Sequence, residues 1–312
     1  MTKQLDTMEF CRAVFAENFI LQPDLQRLAL ERSAGLSSEP PHSLDTLLRL
    51  VQQKLSTNQS FSMIRVGNGE GNAYGMTLPL LSHDAIFATF CTAFNRQNHL
   101  GIGIEEAQIF SRRVIAAFDN ADMIGSRSFR FDENALIERC IADGDDFAAL
   151  GITYARQYLC DRLKAGRMQS KLITSAWIHL DLLSRFEELL AIGNKVIVIT
   201  GRNELHEGFA ARLGDRLTAF LSVPVQGYVP ESLAASHYGH RFEEICDFLK
   251  QDLAGHLVLV GAGLFGKIYC EVAARHGGVA LDLGSMFDVL SGHNTRPVFS
   301  VYNFEGQRWI NA

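Results

Sequence analysis

The stretch His256-Leu-Val-Leu-Val-Gly-Ala-Gly-Leu-Phe-Gly-Lys267 runs from an unbroken apolar segment, through three glycines, into apolar positions at helical spacing. A short apolar run that does not alternate fits a strand covered on both faces, so a strand is expected over 256–260 and a helix over 264–276. The same alternation extends outward. Strands are expected over 195–200, 217–223 and 279–283, with helices over 204–213 and 233–253 between them. Earlier in the chain, helices are expected over 43–55, 103–119, 147–164 and 180–190, and strands over 61–66, 121–125 and 171–176. This order predicts an α/β, Rossmann-like fold with a mostly parallel sheet between helices. Residues 1–42 form a separate N-terminal helical segment and linker, helical over 5–33 and linker-like over Ser33 to Ser43. Residues 43–312 form the Rossmann-type domain.

Composition narrows the function. The 312 residues are 47% hydrophobic, enough to bury a full core. Thirty-five acidic and 29 basic side chains are well mixed and leave a net charge of −6, which is not the footprint of a nucleic-acid binder. The six cysteines are scattered without a C-x-x-C pair, as expected of reduced thiols in a cytoplasmic protein. No segment reaches the ~20 apolar residues needed to span a bilayer, although peripheral membrane association stays open. Oligomeric state is not legible.

In a parallel sheet, ligands gather beyond the carboxyl ends of the strands, so chemistry is sought in three loops. Gly261-Ala-Gly-Leu-Phe-Gly266 has the G-x-G-x-x-G form, with Asp282 about 20 residues further on, as a dinucleotide site requires. The plain alternative is a tight strand-to-helix turn. The second loop, Asp282-Leu-Gly-Ser-Met-Phe-Asp288, offers two carboxylates, although Ser285 and Asp288 also fit a helix cap. The third is Arg65-Val-Gly-Asn-Gly-Glu-Gly71. There Asn68 and Glu70 supply an amide oxygen and a carboxylate two residues apart, Gly67 and Gly69 add little bulk, and Arg65 adds positive charge. A divalent ion bridging a diphosphate needs only one or two protein carboxylates.

Ser62-Met-Ile-Arg-Val-Gly-Asn-Gly-Glu70 resembles the R-F-G-D-G-E segment of GT-D type glycosyltransferases. Leu257 to Lys267 and Ala280-Leu-Asp-Leu-Gly-Ser285 are similar to that family's closing strand, glycine turn and Asp-x-Gly element. Val196-Ile-Val-Ile-Thr-Gly-Arg202 and Val223-Pro-Val resemble its middle strands. The resemblance spans residues 59–297 in order and implies sugar transfer from a UDP- or GDP-linked donor to a glycan or other hydroxyl acceptor, in bacterial polysaccharide or glycoprotein biosynthesis. It implies Mn²⁺ or Mg²⁺ held by Glu70 and Asn68. Asn68 stands where the family has aspartate, which lowers the charge of the site. Donor contacts are expected from Arg65, Gly67, Asn68, Gly69, Arg202, Gly261, Gly263, Gly266 and Lys267, with an exposed arginine at a helix entry as the plain alternative for Arg202. Candidates for the base are Asp282, Asp288, Glu70 or a histidine, with His293 closer in sequence to the site than His237 or His240. The alternatives are a non-catalytic nucleotide-sugar binder and an NAD(P)-dependent oxidoreductase.

Overall fold

A computed structural model describes residues 42–78, 104–127, 137, 139, 140, 142, 143, 146–168, 170–225, 237–293, 295, 308 and 309. The helical segment and linker expected over residues 1–42 lie outside these residues except for His42. Ser43 opens helix α1 (Leu44–Ser56) by accepting the Thr46 N–H at 3.4 Å, and Leu47, Leu48 and Val51 form its buried face. Strand β1 (Phe61–Arg65), helix α2 (Asn68–Gly75), α3 (Ile104–Asn120), β2 (Met123–Ser126), α4 (Asp146–Lys164) and β3 (Leu172–Ser175) follow. The second half holds α5 (Ile178–Leu182), α6 (Phe186–Ile192), β4 (Lys195–Thr200), α7 (His206–Leu213), β5 (Leu217–Ser222), α8 (Phe242–Phe248), β6 (His256–Gly261), α9 (Gly263–Arg275), β7 (Val279–Asp282) and α10 (Met286–Leu290).

Three expectations change. The single helix expected over 180–190 is divided into α5 and α6 by a 3-10 turn at Leu183–Arg185. Of the helix expected over 233–253, α8 covers Phe242–Phe248 after a π-helical turn at His237–Arg241, residues 249–253 are not helical, and residues 233–236 lie outside those described. The expected Asn68–Glu70 loop is the first turn of α2.

The strands lie in the order β3-β2-β1-β7-β6-β4-β5. Neighbours β1 and β7, β7 and β6, β6 and β4, and β4 and β5 all pair in parallel, so their carboxyl ends share one edge. The apolar runs are covered on both faces: Leu257 to Val260 and Val279 to Leu281 are fully buried. Two compact units are distinguished, one drawn from Arg65–Asp119 and Ile124–Ala176, the other from His42–Ile64, Asn120–Met123 and Trp177–Ala312. Among the described residues no helix is long and apolar enough to cross a membrane. Cys140, Cys160, Cys246 and Cys270 are free thiols; Cys11 and Cys91 are not described.

Candidate active site

In the first unit, Gly67 is the N-cap of α2, and its N–H is held by Glu70 Oε2 at 2.8 Å. This is half of a capping box, and it puts a carboxylate at the positive end of the helix. Beside it, Asn68 Oδ1 is buried and has no hydrogen-bond partner among the described residues. An unpaired buried amide oxygen costs on the order of 1–3 kcal/mol, which a bound donor or cation would offset. Arg65 reaches over Gly125, where a Cβ would lie 2.9 Å from its Cγ, and donates from Nη1 to the Ala176 carbonyl at 3.2 Å.

The glycines of this turn serve packing. A Cβ at Gly71 would lie 1.8 Å from the Gly151 carbonyl oxygen of α4, one at Gly151 2.3 Å from the Asn68 carbonyl oxygen, and one at Gly75 2.6 Å from the Tyr154 ring. Backbone therefore meets backbone where α2 crosses α4. Around the crossing, Tyr74 donates to Asp161 at 2.5 Å, and Asp119 takes Arg162 at 2.6 and 2.9 Å and Tyr158 at 3.1 Å. Burial pushes the Tyr74, Tyr154 and Tyr158 hydroxyls above the usual tyrosine range. The hydrogen bond to Asp161 adds to this at Tyr74, and the Asp119 charge adds to it at Tyr158.

In the second unit, Asp282 ends β7 fully buried and forms an ion pair with Lys267, whose side chain is 3% exposed. Expected separately as base and diphosphate contact, the two neutralise one another, the usual condition for a charge out of water. Gly261 and Gly263 play different parts in the turn before α9. A Cβ at Gly261 would lie 2.2 Å from the Phe287 ring, whereas Gly263 has φ of 55°, a left-handed conformation that favours glycine. At Gly266 a Cβ would be 3.0 Å from Val260.

The cap expected at Ser285 is absent. Its side chain makes no capping bond to α10, and its Oγ lies 3.4 Å from Nε2 of His179, which is buried and stacked on Trp177. Asp288 accepts Arg202 Nε at 2.7 Å and Thr295 Oγ1. His293 pairs with Glu204 at 3.2 Å. His237 and His240 do not converge on one site: His237 meets the Tyr269 hydroxyl at 2.8 Å, and His240 meets Glu244 at 3.2 Å.

His179 was missed by sequence reasoning. It follows β3 in Ala176-Trp177-Ile178-His179, and nothing local to it points to Ser285, 106 residues later. The only available signal was a histidine just beyond a strand's carboxyl end.

The family model described as a GT-D fold-like domain matches residues 42–290 of the chain. The chain belongs to the GT-D-like family. Membership in this GT-D-like family places it in a glycosyltransferase fold class. A solved structure titled as showing that the highly conserved domain of unknown function 1792 has a distinct glycosyltransferase fold is similar over 92% of this chain and 94% of its own, at 13% identity and a TM-score of 0.49. A selenomethionine-substituted structure of the same domain is similar over 84% and 81%, at 15% identity and a TM-score of 0.42. No curated protein matches.

No group of three or more histidine, cysteine, aspartate or glutamate side chains able to hold a metal occurs among the described residues. Glu70 and Asn68 therefore fit only an ion that takes most of its oxygens from a ligand's phosphates and from water. The orphaned Asn68 Oδ1 is the observation that admits this fit.

Proposed function

We propose that this GT-D-like protein transfers a sugar from a UDP- or GDP-linked donor to a hydroxyl of a glycan acceptor. The observation that carries the reading is the buried, unpartnered Asn68 Oδ1 at the N-terminus of α2, beside the Glu70 carboxylate. Glu70 and Asn68 would hold Mn²⁺ or Mg²⁺ against the donor diphosphate, where the ion supplies charge neutralisation as the leaving group departs. The N–H groups of the first turn of α2 add partial positive charge at the same place.

A second reading, binding of the nucleotide sugar without transfer, is favoured by Asn68 itself, which brings one negative charge fewer than aspartate. The oxidoreductase alternative has weaker support, because Asp282 is sealed in its pair with Lys267 and is not open to a ribose.

Calorimetry with UDP and GDP, with and without Mn²⁺, tests the proposal. Glu70→Ala should remove the metal-dependent part of binding. Asn68→Asp should strengthen metal dependence by about tenfold, the effect of an added ligand charge. Binding of neither nucleotide under any condition would sink the glycosyltransferase reading. Binding without release of nucleoside diphosphate from sugar donors would favour the second reading.

A further inference from the structure

In the second unit the chain leaves β4 through α7 to reach β5 on one side, and leaves β6 through α9 to reach β7 on the other. Thr200 and Gly261, the last residues of β4 and β6, are register partners, so the two loops part at a topological switch point. Such points open crevices for ligands. Arg202 stands two residues beyond Thr200.

Its surroundings hold it in place without satisfying it. The Arg202 N–H bonds Thr200 Oγ1 at 3.1 Å, and Nε donates to Asp288 Oδ1 at 2.7 Å, while Thr295 steadies the other Asp288 oxygen. Phe287, packed against Gly261, fixes the turn of α10 that carries Asp288. The side chain is only 15% exposed, yet its two terminal nitrogens have no partner among the described residues. Elsewhere in this unit, arginines that brace structure commit those atoms: Arg216 to the Leu190, Gly193 and Arg212 carbonyls, Arg185 to Glu188 and Asp45. A guanidinium anchored through Nε presents a planar fork suited to an oxyanion.

We propose that the crevice between the loops after β4 and β6 is a phosphate seat, with Arg202 as its fork and Asp288 as the residue that positions it. Asp288, with both oxygens engaged, is then not a general base. This deepens the glycosyltransferase reading and rests on it only for the source of the phosphate, either the donor diphosphate or a phosphorylated acceptor.

The test is calorimetry of the full chain with pyrophosphate, UDP and uridine, without metal, with thermal melting to verify the fold of each variant. Wild type should bind pyrophosphate. Arg202→Gln should weaken that binding about 30-fold, and Arg202→Lys, which keeps charge but not the fork, about tenfold. Asp288→Asn should stay within about threefold, because the amide oxygen still accepts Nε. Uridine should be indifferent to all three. A parallel loss of UDP affinity in Arg202→Gln assigns the seat to the donor, and retained UDP affinity assigns it to a phosphorylated acceptor. No pyrophosphate binding by wild type, or unchanged binding by a folded Arg202→Gln, overturns the proposal. Arg202-dependent pyrophosphate binding without any nucleoside diphosphate binding would leave the seat standing and remove the glycosyltransferase reading.

Discussion

Two glycine-rich turns follow strands in this chain, Gly67 to Gly75 after β1 and Gly261 to Gly266 after β6, and they use glycine for different physical reasons. In the first, none of the glycines has a positive φ; Gly71 is glycine because any side chain would drive into the backbone of α4. In the second, Gly263 needs the left-handed conformation that opens α9, while Gly261 yields space to a ring. A glycine cluster in a sequence thus reports a constraint without saying whether it comes from the residue's own dihedrals or from a neighbour.

Substitution separates the two. Gly71→Ala should have the largest effect, since its Cβ would sit 1.8 Å from the Gly151 oxygen and 2.7 Å from the Ala155 nitrogen, and main-chain atoms cannot swing aside. A loss of more than about 3 kcal/mol, or failure to fold, is expected in urea denaturation. A milder loss would mean that α2 and α4 slide apart easily. Gly263→Ala comes next. The left-handed conformation by itself costs about 1–2 kcal/mol by the same measurement, and no loss there would contradict the conformational account. Gly266→Ala should cost under about 1 kcal/mol, because Val260 need only shift slightly and alanine favours the helix.

The smallest effect is a dependence on pH confined to the α2–α4 crossing. Tyr74, Tyr154 and Tyr158 hold their protons more tightly in the folded state than in the unfolded chain, whose tyrosines titrate near the ordinary value of 10.0. Their contribution to stability is therefore complete below about pH 10 and is lost as pH rises beyond it. Denaturation midpoints should fall above that pH, and less steeply in Tyr158→Phe; parallel curves would show that Tyr158 titrates as it does unfolded.

Much of the fold was legible because its strands are short unbroken apolar runs. Val196 to Ile199 and Leu257 to Val260 could only be buried on both faces, and the helices between them carry an ordinary apolar stripe. The first turn of the candidate site was not legible as a helix. Asn-Gly-Glu-Gly-Asn-Ala-Tyr-Gly carries three glycines, each costing a helix on the order of 1 kcal/mol, and only its packing against α4 explains why it is helical. Nor does sequence spacing join Arg202 to Asp288, 86 residues apart, or His179 to Ser285.

The sequence by itself determined the alternation of strand and helix, the placement of Glu70 and Gly261 to Gly266 just beyond strands, and the resemblance on which the family rests. All of these follow from local pattern, since burial and turn chemistry are written within a few neighbouring residues. Tertiary structure decided which polar groups are spent on each other. Lys267 closes on Asp282, Ser285 turns from its helix to His179, and Asp288 holds Arg202 by one nitrogen. Those pairings depend on strand order and register, which bring distant segments of the chain together.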